Sequence, residues 1–272
     1  MKKIIYFFIT SIFFCATAAV AEEAEYELGL GLMKFQYEEF SDSGVFLDGE
    51  YGFIPGAIIK RKQEHETFSS EWVTSLYGNT IDYEGQTQGG NPLTTRSDAI
   101  IFDTHLKLGF YPDAAQVRGP YIGLGYRYWL RNIRSGYDIY SNSVAGLREH
   151  YYWFYSLIGF STNLSTSEDV NFGFDARYTM MINGKMDVDF LGYNNYDDTQ
   201  VNLGNKAGAR FVFPVQIKMQ KQRLTISPYY EIINIGRSNN VPVYSNGVPT
   251  AIVIYEPRSE TRNVGVEVSW AW

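Results

Sequence analysis

Apolar and polar residues alternate with a period of two along most of this chain. Residues 100–110, 121–131, 170–182 and 264–272 each place apolar side chains at every second position, with mainly polar, charged or glycine residues between them. A repeat of two residues puts successive side chains on opposite faces of a β-strand. No window of similar length has the i, i+3, i+4 spacing of an amphipathic helix. The pattern therefore predicts an all-β protein.

Ten strands are predicted from this alternation. They cover residues 25–37, 50–62, 68–82, 97–111, 119–134, 149–163, 169–183, 201–218, 222–236 and 260–272. The intervening segments are alternately long and short, and the short ones fall near residues 62–66, 112–114, 165–167 and 220–221. This alternation predicts antiparallel up-and-down strands with long loops at one end and short turns at the other. The second and sixth strands are apolar on both faces, which leaves their orientation open.

The N-terminus has the features of an export signal. Lys2 and Lys3 precede an apolar core at residues 4–14, and an Ala-x-Ala site ends at Ala21. An uncleaved anchor helix is the alternative, but the apolar core is too short to span a bilayer. A lipid anchor on Cys15 is not favoured, because the residues before it are large. We predict a signal peptide at residues 1–21 and one β-barrel domain at residues 22–272, without thiols.

The composition favours a membrane barrel over a soluble β-sandwich. The chain is 45% hydrophobic and 17% aromatic, carries a net charge of −7, and has no long apolar run that could span as a helix. The acidic balance argues against nucleic acid as a partner. The predicted strands exceed the usual length of about 5–6 residues and suit a tilted bilayer crossing of about 9–11 residues. A bilayer accepts strands only in a closed sheet. The fold class predicted is therefore a transmembrane antiparallel up-and-down β-barrel of about ten strands with periplasmic termini.

The C-terminal segment resembles a known assembly signal. Residues 263–272 (NVGVEVSWAW) are similar to the β-signal of outer-membrane barrels, with Gly265, Val268, Trp270 and Trp272 at the characteristic positions. Trp272 replaces the usual phenylalanine but keeps the aromatic character. The whole mature chain resembles the outer-membrane β-barrel superfamily, and residues 83–87, 91–96 and 123–129 are similar to uncharacterised proteobacterial members. The resemblance implies a fold and a location in a Gram-negative outer membrane, not an activity.

The same resemblance implies the partners of the chain. They are outer-membrane lipids and lipopolysaccharide, the barrel-assembly machinery and periplasmic chaperones. No cofactor, metal or nucleic acid is expected.

The predicted inward face carries charges of both signs. Its members are Asp103, His105, Lys107, Arg127, Arg131, Asp175, Arg177, Lys206, Arg210, Arg223, Glu231 and Glu267. A ten-stranded interior is narrow enough for side chains to fill, and charges buried there must pair. We interpret this set as a polar plug. The alternative is a narrow channel for small solutes, in which an arginine-rich constriction would favour anions.

The sequence gives little support for an enzymatic function. Ten strands is the number found in omptin proteases, which need acidic residues and a histidine at the extracellular rim. The candidates here are Glu149 and His150, with Asp82, Asp98 and Asp138 on other strand tops. Adjacent residues of a strand point to opposite faces, so the side chains of Glu149 and His150 diverge. The H-x-S tripeptide of lipid A deacylases and the G-x-S-x-G motif of lipases are both absent. We therefore expect a non-enzymatic protein, structural or surface-interacting, with an omptin-like rim protease as a second alternative.

Two predicted long loops carry further candidates. Residues 183–200 hold Asp187, Asp189, Asp197 and Asp198, which form either a solvated acidic loop or a site for a divalent cation shared with lipopolysaccharide. Residues 238–259 contain Asn246 followed by glycine, the signal of a type I′ hairpin. This hairpin is expected to project beyond the membrane.

Overall fold

The computed structural model describes residues 24–65, 68–87, 89–110, 119–167, 169–220 and 222–272. The predicted signal peptide and residues 112–114 lie outside this part of the chain. The strands are β1 (Glu25–Phe40), β2 (Phe46–Glu64), β3 (Phe68–Gln86), β4 (Pro92–Phe110), β5 (Pro120–Ile133), β6 (Gly136–Tyr137), β7 (Ser143–Val144), β8 (Leu147–Thr166), β9 (Val170–Asp189), β10 (Thr199–Asn202), β11 (Ala207–Val212), β12 (Val215–Met219), β13 (Gln222–Ile235), β14 (Val241–Ser245), β15 (Val248–Ile254) and β16 (Arg258–Ala271). A 3₁₀ turn covers Tyr193–Asn195. Within the described ranges no helix has the length and apolar character needed to cross a membrane.

The long strands form one closed antiparallel sheet. Its order runs β1, β2, β3, β4, β5, β8, β9, and it continues through β13 and β16 back to β1. The segments β10, β11 and β12 share the single position that follows β9. The barrel closes between β1 and β16, in a register from Glu27 opposite Ala271 to Phe40 opposite Arg258. The predicted ten-stranded closed barrel is therefore confirmed. We call the strand ends that carry residues 41–45, 87–91, 134–146, 190–198 and 236–257 the loop end, and the opposite end the turn end.

Side-chain burial follows the alternation of the sequence. On β4 the apolar side chains of Ile100, Leu106 and Leu108 are exposed on the outside, whereas Asp103 and His105 are buried inside. The same outward set continues around the barrel as a belt of exposed apolar side chains. Its members include Leu28, Leu30, Leu32, Phe53, Ile59, Leu76, Ile122, Leu124, Phe154, Ile158, Val264 and Trp270. An apolar outer belt over a polar interior is the arrangement that a bilayer requires of a barrel.

The two strands of ambiguous orientation carry aromatic and aliphatic side chains on both faces. β2 exposes Phe53 and buries Ile54, and β8 exposes Phe154 and buries Trp153. The sequence could not orient these strands because both faces are apolar. Closure of the barrel fixes which face of each strand points inward, since each strand must continue the pleat of its neighbours.

Several strands extend further towards the loop end than predicted. β2 begins at Phe46, β3 ends at Gln86 and β9 ends at Asp189, which places Asp187 and Asp189 in a strand and not in a loop. Above the apolar belt the outward residues are polar and pair across strands, as Arg134 does with Asp98 at 2.6 Å. The ladder therefore continues into water after the apolar alternation has ended.

The eighth strand was predicted as a single element at residues 201–218, and this prediction was wrong. It consists of β10, β11 and β12, which are separated at residues 203–206 and 213–214. Pro214 at the second break has no N–H to donate to a ladder. At the first break, Gly204 and Gly236 exchange two backbone hydrogen bonds, and an added Cβ on Gly204 would lie 2.8 Å from the Gly236 backbone.

The hairpin at Asn246 is present. β14 and β15 pair on either side of Asn246 and Gly247, which have φ values of 51° and 76°. Two successive positive φ angles are the signature of a type I′ turn. The hairpin stands at the loop end, and the short pair β6–β7, which the sequence did not indicate, lies at the same end.

This topology predicts which segments are reachable from outside the cell. An epitope inserted between Asn246 and Gly247 should be labelled by antibody on intact cells, because the hairpin lies at the loop end. An epitope inserted after Ser167, at the turn end, should be labelled only after the outer membrane is permeabilised. Labelling of the Ser167 insertion alone on intact cells would show that the barrel has the opposite orientation.

Candidate functional site

Asp103 is the centre of a polar network in the middle of the lumen. Its carboxylate accepts hydrogen bonds from Arg127 Nε at 2.8 Å and from the Tyr155 hydroxyl at 2.8 Å. His105 Nδ1 lies 3.2 Å from the same carboxylate, and its Nε2 lies 3.1 Å from Arg177 Nη1. Because a guanidinium only donates, His105 Nε2 accepts, and its Nδ1 carries the proton that is donated to Asp103. A neutral His105 is therefore a structural link in this network.

Glu231 connects this network to the opposite wall. Its carboxylate lies 3.3 Å from Arg127, 3.6 Å from Arg177 and 3.8 Å from Arg210. Arg210 also pairs with Glu267 on β16. Each of these side chains is largely buried, so each guanidinium shares carboxylates with its neighbours. Such shared pairing offsets the cost of removing several charges from water.

Further ion pairs continue the network towards the turn end. Lys107 pairs with Glu71 at 2.8 Å, and the Tyr121 hydroxyl donates to Asp175 at 2.9 Å. The other two predicted residues are placed differently: Arg223, near the turn end, pairs with Glu27 at 2.8 Å, whereas Lys206 is exposed at the break between β10 and β11. Together the paired groups line a cavity of about 190 Å³ that reaches the turn-end rim. Acidic and basic side chains balance along its wall.

An apolar layer lies above this network. Trp129 packs edge-on against Phe35 and Tyr37, at centroid distances of 5.7 and 4.9 Å, and stacks on Tyr151 at 4.7 Å. On β5 the inward positions 127, 129 and 131 follow one another along the barrel axis, so Trp129 separates Arg127 from Arg131. Trp129, Phe35, Tyr37 and Tyr151 are all buried. The layer lies between the two polar regions of the lumen.

A second polar cluster, the Arg131 cluster, lies between this layer and the loop end. Arg131 is 1% exposed and donates to four carboxylates on three strands. Its partners are Glu50 at 2.9 Å from Nε, Glu39 at 2.7 Å and Glu149 at 2.9 Å from Nη1, and Asp48 at 3.0 Å from Nη2. Its guanidinium also lies over the Tyr37 ring at 4.9 Å.

Glu256 adds a fifth carboxyl to the Arg131 cluster. It precedes β16 in the segment of residues 236–257, and its Oε1 lies 2.9 Å from the Tyr37 hydroxyl and 3.0 Å from the Tyr151 hydroxyl. These tyrosines belong to β1 and β8, which lie on opposite sides of the barrel. Glu256 therefore reaches across the lumen from above. Burial and the negative charge of Glu149 raise the pKa of Glu256 to about 8.

Tight packing of tyrosine against glycine fills the rest of the interior. A Cβ on Gly125 would lie 2.3 Å from the Tyr155 ring, and a Cβ on Gly265 would lie 2.5 Å from the Tyr229 ring. The glycine of the C-terminal segment thus has a packing role. In the same segment Val268 is half-buried, whereas Trp270 and Trp272 are exposed on the outer surface.

The acidic rim residues and His150 are not brought together. Glu149 points into the lumen, whereas His150 points outward and its Nδ1 lies 2.7 Å from the Tyr128 hydroxyl. Asp98 bonds Arg134 on the outer surface, Asp82 lies 3.8 Å from Arg96, and Asp138 accepts hydrogen bonds from Asn91 and Asn142 in the loops. These five residues therefore share no cleft at the loop end.

Three of the four aspartates proposed for a cation are engaged with other partners. Asp187 accepts a hydrogen bond from Gln200 at 2.6 Å, Asp189 lies 3.6 Å from Arg148, and Asp197 accepts the Gly247 N–H at 2.8 Å. Partial burial and the neighbouring carboxylates raise the pKa of Asp198. Among the described residues, no group of three or more His, Cys, Asp or Glu side chains is arranged to hold a metal ion.

Sequence reasoning missed most of the Arg131 cluster. Only Arg131 and Glu149 were considered, because the predicted strands ended at residue 37 and began at residue 50. Glu39, Asp48 and Glu256 fell in predicted loops. The alternation of Phe35, Tyr37 and Glu39 on one face is the signal that could have extended the first strand.

Comparisons with known proteins agree on the fold alone. No protein-family model and no curated protein matches the sequence. The outer membrane protease OmpT from Escherichia coli is structurally similar, with a TM-score of 0.62, 11% identity, and coverage of 94% of this chain and 99% of that chain. The translocator domain of autotransporter NalP from Neisseria meningitidis has a TM-score of 0.44, 8% identity, and coverage of 96% of this chain and 95% of that chain. The likeness to OmpT shows that the chain shares the fold of an outer-membrane β-barrel.

Proposed function

We propose that this chain is a non-enzymatic outer-membrane barrel, structural or surface-interacting, whose lumen is closed by its own side chains. The observation that carries the proposal is the order of layers along the barrel axis. A balanced ion-pair network lies towards the turn end, Trp129 and its aromatic neighbours lie above it, and the Arg131 cluster fills the loop end. Each layer draws side chains from several strands.

The lumen is unsuited to free passage because each layer is held by its own contacts. A solute would have to displace Trp129, which packs against Phe35, Tyr37 and Tyr151. It would also have to break the four hydrogen bonds by which Arg131 joins carboxylates of β1, β2 and β8. Breaking a buried pair exposes an uncompensated charge and is costly.

The loops at the loop end expose aromatic side chains, which support a function that does not involve the lumen. Tyr137, Ile139 and Tyr140, within the β6–β7 segment, are 70%, 62% and 68% exposed. Exposed aromatic side chains are enriched where proteins meet partners. This observation supports a surface-interacting role for the loop end and requires no pathway through the barrel.

The channel alternative is supported by one observation, the cavity at the turn end. It is lined by seven lysine and arginine side chains, Lys60, Lys62, Lys107, Arg127, Arg177, Arg210 and Arg223, together with carboxylates that pair with them. This cavity would become the inner vestibule of a narrow pathway if the aromatic layer moved. Conductance distinguishes a vestibule from a closed cavity.

We predict that the refolded protein will not conduct in planar bilayers. The chain should give no unitary ion currents at neutral pH, because the aromatic layer and the Arg131 cluster close the lumen. A Trp129→Gly chain is the informative comparison, since it removes the largest side chain of the layer. Steady unitary currents from the unaltered protein would favour the narrow channel and exclude the closed barrel.

The enzymatic alternative is tested separately with a panel of peptides and lipid A on refolded protein in lipopolysaccharide. We expect no turnover, because the rim carboxylates and His150 share no cleft. Cleavage of a peptide that is lost in an Asp98→Asn or His150→Ala chain would establish a rim protease. The Arg134→Ala chain is the control, since Arg134 contacts Asp98 on the outer surface.

A further inference from the structure

The segment of residues 236–257 covers the loop end of the barrel, and we call it the lid. It contains the β14–β15 hairpin, and Val243 on that hairpin is 1% exposed. The lid contacts neighbouring loops through the Gly247 N–H, which donates to Asp197, and through the Asp197 N–H, which donates to the Tyr244 carbonyl. Its one carboxylate inside the barrel belongs to Glu256, which is 2% exposed.

Glu256 is held rigidly on the lid side. Its N–H donates to Ser238 Oγ at 2.7 Å, and its carbonyl accepts the Ser238 N–H at 2.9 Å. These two bonds close the base of the lid. A change in the hydrogen bonds of the Glu256 carboxyl group therefore acts directly on residues 236–257.

The hydrogen bonds around Glu256 need a proton on a carboxyl group. The Tyr37 hydroxyl lies within 2.8 Å of Glu39 Oε1 and 2.9 Å of Glu256 Oε1. The Tyr151 hydroxyl similarly lies 3.1 Å from Glu149 Oε2 and 3.0 Å from Glu256 Oε1. Each phenol has one proton to donate, so two phenols cannot supply four contacts with ionised carboxylates. The other two contacts therefore each need a proton from a carboxyl group.

The charges of the Arg131 cluster lead to the same requirement. Five carboxyl groups surround one guanidinium, and the fully ionised cluster would carry a net charge of −4. The groups that face Glu256 or act on it are Tyr37 and Glu39 on β1, Asp48 and Glu50 on β2, Tyr83 on β3, Arg131 on β5, and Glu149 and Tyr151 on β8. Glu50 Oε2 is fully buried and has no hydrogen-bond partner among the described residues. Such an excess of buried negative charge is stable only when protons neutralise part of it.

We propose that the lid is a pH-dependent latch, closed by a proton on Glu256 and released when that proton is lost. With the proton, Glu256 bridges Tyr37 and Tyr151 across the lumen. Without it, the carboxylate faces Glu39 and Glu149 in a buried site and is repelled. The inference goes beyond the closed-barrel proposal, because it concerns a movement of the lid and not the closure of the lumen.

The direction in which pH acts on the lid follows from the shift of the Glu256 pKa. The pKa is raised from the ordinary value of 4.5 to about 8. The bound proton stabilises the latched state fully at pH values below 4.5, and this contribution is lost as the pH rises through about 8. The lid should therefore be closed at neutral pH and released in mildly alkaline solution.

Cysteine labelling tests the latch directly. Cys15 is the single cysteine of the chain, so a Cys15→Ala chain can carry Val243→Cys as a buried probe on the lid and, separately, Val248→Cys as an exposed control. Reaction with a methanethiosulfonate reagent is measured from about pH 7 to pH 9 in purified protein. The rate at position 243 is divided by the rate at position 248, which removes the pH dependence of the thiol itself.

We expect this ratio to rise about tenfold by one pH unit above the Glu256 pKa, and to stay constant when Glu256→Gln is added. Heat-modifiable gel mobility shows whether the Glu256→Gln barrel has folded. A ratio that does not change with pH, or that rises equally with Glu256→Gln, overturns the proposal. If that variant does not fold, infrared spectroscopy of the unaltered barrel decides: loss of a protonated-carboxyl band near pH 8 supports the latch, and absence of such a titration rejects it.

Discussion

Replacing Arg131 with methionine is expected to destabilise the folded barrel by about 3–5 kcal/mol, the usual cost of breaking a buried ion pair. The guanidinium is 1% exposed and serves Glu39, Asp48, Glu50 and Glu149 at 2.7–3.0 Å. Methionine has a similar length, so the variant leaves little empty volume but removes the guanidinium that these four carboxylates share. Urea unfolding in lipid vesicles, followed by tryptophan fluorescence, measures the change in the free energy of unfolding.

Two controls separate charge from packing. Arg134→Met removes an arginine three residues away that pairs with Asp98 on the exposed outer surface, and it should leave the unfolding midpoint nearly unchanged because exposed pairs contribute little. Adding Glu50→Gln to Arg131→Met should recover part of the lost stability, since it removes one unpaired buried charge. Equal stability of the Arg131→Met and unaltered barrels would show that the Arg131 cluster is not needed for the fold.

Deleting Trp272 should sharply reduce the amount of protein in the outer membrane while leaving the barrel able to fold. Trp272 lies beyond the last register pair of β16, which is Ala271 opposite Glu27, and its side chain is 65% exposed on the outer surface. Its removal therefore takes no register pair from the sheet, but it removes one terminal backbone hydrogen bond, from the Trp272 N–H to the Tyr26 carbonyl. A charge on the lipid face costs about 2–4 kcal/mol at the midplane and about 0–1 kcal/mol near the interfaces. Burial alone thus cannot account for complete loss, and we attribute the expected loss to failed recognition by the assembly machinery.

The two contributions are measured separately. A Trp272→Asp chain should refold in detergent micelles, as judged by heat-modifiable mobility, but should be depleted from the outer-membrane fraction of cells. Ala271→Ser is the control, because Ala271 faces the lumen and is buried. If the Trp272 deletion and the unaltered chain accumulate equally in the outer membrane, the resemblance of residues 263–272 to the β-signal has no functional meaning.

The alternation of residues was sufficient to predict the barrel itself. A strand has only two faces, and in a membrane one must be apolar, so the spacing of Ile100, Leu106 and Leu108 decides that Asp103 and His105 point inward. The positive φ angles at Asn246 and Gly247 were likewise predictable, because the preference is local to the two residues. Such features depend on neighbours in the sequence, and the sequence alone determined them.

The strand limits and the interior partners were not predictable in the same way. Beyond the membrane neither face of a strand has to be apolar, so the apolar alternation ends before the strand does. The predicted limits of β2 and β9 are therefore too short at the loop end. Arg127 and Arg131 belonged to one predicted inward set, yet they serve different clusters. Inward side chains two residues apart are separated by about 6.6 Å along a strand, and Trp129 occupies the position between them.

Only the tertiary structure decided which charges meet. Arg131 binds Glu39, 92 residues away, and Tyr37 binds Glu256, 219 residues away. These contacts depend on the closure of β1 against β16 and on the register of all ten positions around the barrel, because a shift by one residue would turn each side chain to the other face. Local sequence specified the two faces of most strands, whereas closure of the sheet oriented β2 and β8 and selected the partners across the lumen.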